Sequence, residues 1–406
     1  MFVILSMPTF ALIPGDAVFE LTDFPNYYAA SNLIWSGHGA DIYKHDLVIK
    51  REDELFPRVP KGRDLPVLVP PFSLPLLLPL VLLPPEPARL TWAVAQIFAV
   101  VFSLLLCAKL FQISERRLLF LTITVGLSGP FWESMRCAQI APFLLLSLCF
   151  TITCLQRKSQ FLAGIASGVF LFKPHECFHQ VLSQFAALQW RYIFSLGGIF
   201  LLASIISFAA VGIDGWSAWR HLMSALLVDP QGTGPQLNPT IRGQLLRIGA
   251  MPGAFVLMVS TVCWFVFSAF ALWLGFKKKA NLLFPEIVLA ITLPCSLLTS
   301  FHSHNYDLML LLPGTLALNK IGETTLVSAV QRKLLKGLIV LLILPLLLPF
   351  YIIIHYGLLV HGFVFNPFFF SVLLLLFTAL FLVLRTGPDE NQSQEDGRAQ
   401  PQISSP

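Results

Sequence analysis

The chain has 406 residues, 56% of them hydrophobic and only 12% charged, with 36 Phe. That composition excludes a soluble domain with one core and points to an all-α polytopic membrane protein, since each spanning helix takes roughly 20 apolar residues. The formal charge of +5 is no nucleic-acid signal, because Lys and Arg fall in short clusters between apolar runs and serve as topology markers.

The first apolar run, near 2–15, is short for a span and lacks the basic n-region of a cleavable signal. It leads into Asp23-Phe24-Pro25-Asn26-Tyr27-Tyr28-Ala29-Ala30, continuing through Trp35-Ser36-Gly37-His38-Gly39-Ala40-Asp41-Ile42-Tyr43. Residues 26–35 read as a short amphipathic helix, with Pro25 pre-setting its first turn and Gly37 and Gly39 stopping it. Asp23 then sits at the helix N-terminus, where backbone N–H groups orient and stabilise an ionised carboxylate. A fixed carboxylate at a membrane surface suits a general base acting on a hydroxyl, although a simple N-terminal helix charge has the same pattern. Asp16, Glu20 and Asp41 are rival bases in the same stretch.

Further apolar runs follow near 89–110, 118–129, 140–155, 160–172, 176–189, 192–212, 253–275, 284–300, 305–319, 337–358 and 367–384. The run 67–83 carries Pro70, Pro71, Pro75 and Pro79, too many for a lipid-facing helix, and reads as an outer re-entrant or interfacial segment. About twelve spans result, and Arg116/Arg117, Arg157/Lys158, Arg191, Lys277–Lys279, Arg332/Lys333/Lys336 and Arg385 then share one side, the cytoplasmic one. The other side receives the loops 16–88 and 213–252 and the short pieces 129–139, 173–179 and 301–307. Residues 1–384 form one membrane-embedded domain, and 385–406 is a polar Gln/Ser/Pro-rich tail expected to be disordered in the cytoplasm.

The polar groups that carry chemistry lie in the outer pieces. Lys173-Pro174-His175 is either a snorkelling lysine at a helix end or a cation for a lipid phosphate. In Asn238-Pro239-Thr240-Ile241-Arg242-Gly243 the guanidinium beside amide and hydroxyl groups suits phosphate oxygens, and a plain loop turn explains the Asn-Pro step equally well. Glu133, Arg136 and Gln139 form a further cluster, or a local ion pair. Phe301-His302-Ser303-His304-Asn305-Tyr306-Asp307 fits a protonatable group facing a leaving phosphate better than a metal site, because alternate His spacing suits a strand rather than a helix end. Cys137 and Cys177 both fall where they reach the outer face, and a disulfide between them is one expectation. The span centres are almost free of charge and no internal repeat is present, which counts against the alternative of a flippase or transporter of lipid-linked sugars. A non-catalytic scaffold leaves the clustering of outer polar groups unexplained.

Taken in order, these pieces resemble the polytopic GT-C glycosyltransferases, and most closely glycosyltransferase family 87. The resemblance rests on Asp23-Phe24 with Tyr27-Tyr28 and Ala29-Ala30, Gly37 with Asp41-Ile42-Tyr43, Pro70-Pro71-Phe72 with Leu83-Pro84, and Gln139 before an apolar run. It continues through Gly164 with Lys173-Pro174, Asn238 with Arg242-Gly243, and His302-Ser303-His304-Asn305-Tyr306. Ala138 stands where the family usually has Gly. The resemblance implies a GT-C-like helix bundle with short helices in its extracytoplasmic loops. It further implies an inverting transferase that moves a sugar, by family default mannose, from a polyprenyl-phosphate donor to a lipid or glycan acceptor. Asp23 is implied as the base, with Lys173, Arg242, Asn238 and one of His302 and His304 stabilising the leaving phosphate. Tyr27, Tyr28, Arg136 and Gln139 would line the donor or acceptor groove. No cofactor or metal is implied, and the expected location is a bacterial plasma membrane with the site on its outer face.

Overall fold

The computed structural model describes residues 23–57, 66–228, 238–249, 253–301, 303–325, 328–347, 350–351, 354 and 364–385. The apolar run near 2–15, Asp16, Glu20, His302 and the tail after Arg385 lie outside them. Among the described residues the fold is helical throughout, apart from one isolated bridge between Ser128 and Leu347.

Pro85–Leu110, Trp190–Leu226, Gly253–Lys278 and Pro367–Arg385 are long and apolar enough to cross a membrane. Ala141–Gln156, Gln160–Phe172 and Phe284–Thr299 are apolar and shorter. At 1.5 Å per residue, a 16-residue helix such as Phe284–Thr299 spans about 24 Å, less than a hydrocarbon core of about 30 Å. Phe284–Thr299 is buried on every face, packed by Leu311–Thr325, Pro367–Arg385, Gly253–Lys278 and Phe178–Ala186. A helix apolar all round is an axis rather than a lipid-facing wall, and the main core gathers around it.

The Asp23 segment folds on this bundle. Its helix runs Phe24–Trp35 with Pro25 in the first turn. Gly37, at φ +84°, ends it: the Gly37 N–H donates to Ile34 O and the His38 N–H to Leu33 O, the Schellman arrangement that needs a left-handed residue. The helix is not amphipathic as the sequence suggests. Its first two turns are buried nearly all round, because His45–Leu55 covers one side and the Pro-rich segment the other. That Pro-rich segment forms a 3-10 helix over Leu74–Leu82, and Leu74 and Leu77 close a small core with Ala29, Ala30, Ile42 and Val211.

Two further expectations are corrected. The helix begun at Trp190 does not give way to a loop at 213 but continues to Val228 across a kink at Gly212, whose φ of 65° and ψ of −177° are open only to glycine. Trp216, Trp219, Leu222 and Leu226 sit at helical spacing, which is why the segment stays helical. Cys137 and Cys177 are free, buried thiols, Cys137 near Glu133 Oε1 and Cys177 near Pro174 O, so no disulfide joins them.

Antiparallel helices carry polar residues to opposite poles. One pole holds Glu286, which accepts from Gln156 at 2.7 Å and Lys320 at 2.6 Å, together with the Lys336–Glu323 pair. Arg332 and Lys333 line a cleft with Lys336 there. The other pole holds Asp23, Gln139, Lys173 and Asp307.

Candidate active site

Asp23 is the N-cap residue of its helix, yet its side chain makes no capping bond, so the helix N–H groups do not hold the carboxylate as the sequence suggests. It is held instead from the turn Cys137-Ala138-Gln139, which follows the short helix Gly129–Arg136. The Asp23 N–H donates to Cys137 O at 3.2 Å, and the Gln139 side-chain amide donates to Asp23 Oδ2. The Tyr27 hydroxyl donates to the same oxygen at 3.4 Å. Burial, followed by the charge of Asp23, lifts the Tyr27 phenol well above its ordinary range and keeps it a neutral donor.

The gripping turn is itself pinned from Pro85–Leu110. Trp92 Nε1 donates to Ala138 O at 2.9 Å, and four residues on, the fully buried Gln96 amide donates to Gln139 O at 2.6 Å. Ala138 adopts φ +52°, a left-handed conformation that glycine takes at little steric cost. Tyr28 serves this substructure too: its hydroxyl donates to Leu83 O at 2.6 Å and its ring packs edge-on against Phe56. Arg136 pairs with Glu133 one turn earlier, the local ion pair foreseen as one alternative.

Lys173 is buried rather than snorkelling. Its Nζ lies 2.8 Å from Asp307 Oδ1 and 2.9 Å from Oδ2, and 4.7 Å from the centre of the Tyr306 ring. Asp307 Oδ2 also accepts the His304 N–H at 2.9 Å, and the His304 ring lies 5.1 Å from that of Tyr306. Beneath them Glu176 is fully buried, accepting from Ser303 Oγ at 2.8 Å with His175 Nε2 at 3.3 Å. Burial raises the Asp307 carboxyl above its ordinary value, and Lys173 opposes that rise without cancelling it. Tyr306 joins this cluster to the first, because after burial its phenol is raised by the charges of both Asp307 and Asp23.

Asn238 and Arg242 come in on the same turn. The Arg242 guanidinium lies 5.8 Å from the centre of the Phe301 ring, and burial lowers its pKa. Thr240 caps the helix Ile241–Ile248, its Oγ1 accepting the Gly243 N–H at 2.9 Å. Asn238 is 1% exposed, and neither polar atom of its side chain has a hydrogen-bond partner among the described residues. A buried amide left in that state suits an oxygen-rich ligand.

The arrangement thus brings Asp23, Tyr27, Gln139, Lys173 and His304 to one pole, with Arg242 against its Phe301 edge and Asn238 four residues before Arg242, its carbonyl accepting from Asn366 at 3.2 Å. Sequence reasoning did not assign roles to Gln96, Glu176, Tyr306 or Asp307. An apolar cavity of about 570 Å³ opens beside the pole, lined among others by Trp92, Ile140, Phe143 and Phe172.

No curated protein and no solved structure matches the chain. The profile of glycosyltransferase family 87 matches residues 68–300, just over half of the sequence. The matched stretch holds Gln96, Gln139, Lys173, Glu176, Asn238 and Arg242, while Asp23, His304 and Asp307 flank it. That match, on a chain of long apolar helices, selects a transferase over a transporter: the protein is a membrane glycosyltransferase and belongs to glycosyltransferase family 87.

Proposed function

We propose that this enzyme transfers mannose from a polyprenyl-phosphate donor to a hydroxyl of a lipid or glycan acceptor, with inversion and with Asp23 as the general base. Asp23 takes the proton of the acceptor hydroxyl. The acceptor oxygen forms a bond to the anomeric carbon, the bond from that carbon to the phosphate oxygen breaks, and polyprenyl phosphate leaves. Charge grows on the departing phosphate, where Lys173, Arg242, Asn238 and a histidine of the 302–304 turn stabilise it more in the transition state than in the ground state. His302 and His304 share that assignment. Tyr27, Tyr28, Arg136 and Gln139 border the groove. The donor carries its own phosphate leaving group, so the step calls for neither nucleotide nor metal.

The observation that carries the reading is a carboxylate gripped by Gln139 next to an apolar cavity that starts at Ile140, the following residue. Phe172, beside Lys173, lines the same cavity, so an isoprenoid chain lying there leads its phosphate towards the cationic cluster. The basic residues Arg332, Lys333 and Lys336 at the opposite pole support a cytoplasmic assignment of that pole, and with it the reading of a site on the outer face of a bacterial plasma membrane. The fold reading is a GT-C bundle of about twelve spans, in which apolar helices too short to cross alone are completed by 3-10 segments and by packing.

The test offers purified enzyme in proteoliposomes a panel of labelled donors: polyprenyl-phosphate mannose, polyprenyl-phosphate arabinose and a nucleotide mannose. The expected result is a new lipid-extractable product from polyprenyl-phosphate mannose, with inverted anomeric configuration by NMR. Transfer from the nucleotide sugar alone, or a product of retained configuration, overturns the reading.

A further inference from the structure

Lys173 is not a lone cation. Two of its three N–H donors meet the oxygens of Asp307 at 2.8 and 2.9 Å, and the side chain is held over the Tyr306 ring. Asp307 is fully buried and its Oδ2 carries a second bond, from the His304 backbone N–H at 2.9 Å. The two partners come from distant parts of the chain. Lys173 follows the 3-10 turn Gly168–Phe172, and His304 precedes the 3-10 turn Asn305–Leu310, in which Asp307 lies. One carboxylate therefore ties a lysine side chain to the backbone of the histidine turn, and both lie on the ring of Tyr306.

A buried carboxylate is costly unless it is paired and hydrogen-bonded, and a neutral residue of the same shape would hold the packing as well. Neutralising Lys173 is also the wrong arrangement for a residue whose whole role is long-range attraction of phosphate. It is the right arrangement for fixing where the remaining N–H of Lys173 points, because a lysine otherwise samples many rotamers. The buried Glu176 nearby, bonded to Ser303, adds a second anchor to the same turn.

We propose that Asp307 is a positioning residue for sugar transfer: its carboxylate sets Lys173 and the His304 turn in a single constellation beside Tyr306, aimed at the departing phosphate. The proposal rests on the reading of Lys173 and His304 as phosphate-stabilising groups.

Two substitutions act on these bonds differently. In Asp307→Asn the oxygen at the Oδ2 position keeps the His304 N–H and its contact with Lys173, while Lys173 loses the carboxylate charge and meets an amide nitrogen in place of the Oδ1 acceptor. Asp307→Ala loses all three bonds. The experiment measures kcat and donor KM for full-length wild type, both variants and Asp307→Glu in proteoliposomes, with thermal unfolding to count folded enzyme. A second arm records the imidazole signal of His304 in histidine-labelled protein, assigned with His304→Gln. The expected result for Asp307→Asn is a kcat lowered 10- to 100-fold with donor KM changed less than threefold, and for Asp307→Glu a partial recovery. The His304 signal moves in Asp307→Ala and stays in Asp307→Asn. A purely stabilising Asp307 gives wild-type kcat per folded molecule, and a mere neutraliser of Lys173 gives a lower donor KM with kcat intact. Either result overturns the proposal, as does an unmoved His304 signal in Asp307→Ala. If wild type transfers nothing from polyprenyl-phosphate mannose, the donor reading has failed, and the histidine arm still decides whether Asp307 sets the turn.

Discussion

Replacing Gln139 with leucine isolates the grip on the base. Leucine is close in volume, so the buried site keeps its packing and loses only the amide. What disappears is a hydrogen bond from a buried donor to the Asp23 carboxylate. Bonds to charged groups contribute about 1.5–3 kcal/mol, and about 1.4 kcal/mol is tenfold in rate. The Tyr27 hydroxyl, at 3.4 Å, lies at the long limit and does not fix the carboxylate in its place. The expected loss is therefore about 10- to 150-fold in kcat. Gln139→Glu should do more harm, because a second carboxylate against Asp23 raises the apparent pKa of the base and moves the acidic limb of the pH–rate profile to higher pH. The assay is initial-rate sugar transfer at saturating donor and acceptor, with unfolding temperatures confirming intact protein. Gln139→Leu enzyme that is folded and turns over at the wild-type rate would refute the reasoning, since Asp23 would then be oriented by something else.

Ala138 sits at φ +52°, a cost of about 1–2 kcal/mol for an L-residue, offset in Ala138→Gly by an unfolded-state penalty of about 0.4–1 kcal/mol. Ala138→Gly should thus keep activity and stability within about 1 kcal/mol, whereas β-branched Ala138→Val should lose both, as transfer and unfolding assays will show. Gly212→Ala meets no atom within 4 Å of the added carbon, so its destabilisation, about 1–3 kcal/mol by unfolding measurement, reports backbone strain alone. Lys320→Met leaves Glu286 buried with Gln156 as partner. Because Lys320 is 36% exposed, the loss should fall at or below the low end of about 3–5 kcal/mol, and Glu286→Gln in the same chain should restore most of the unfolding temperature.

Local grammar was legible in the sequence. Pro25 and Gly37 bracket the Asp23 helix where their backbone preferences put them, and the prolines of 67–83 foretold a segment that is not an α-helix. Counting apolar runs worked for Pro85–Leu110 and Gly253–Lys278, which face outward on much of their surface. Phe284–Thr299 is apolar for a different reason, burial inside protein, which hydropathy cannot distinguish from burial in lipid. The helix beyond Gly212 was hidden by Asp214 and Gly215, although the spacing of Trp216, Trp219 and Leu222 carried its signal. Least visible were the contacts that make the site. Gln139 meets Asp23 across 116 residues and Asp307 meets Lys173 across 134, and no local pattern encodes a partner at such separations. The sequence therefore supplied the charged groups at one pole, and only the fold reveals that a lysine expected as a free cation is held by a carboxylate.

The most direct test of the account is the turnover of Asp23→Asn enzyme beside wild type, with polyprenyl-phosphate mannose as donor and with folded protein counted in each sample. Asparagine keeps the shape and removes the base, so the account predicts transfer lowered by at least about 100-fold, the scale on which a general base acts, with donor affinity nearly unchanged. Wild-type turnover by folded Asp23→Asn protein would contradict it.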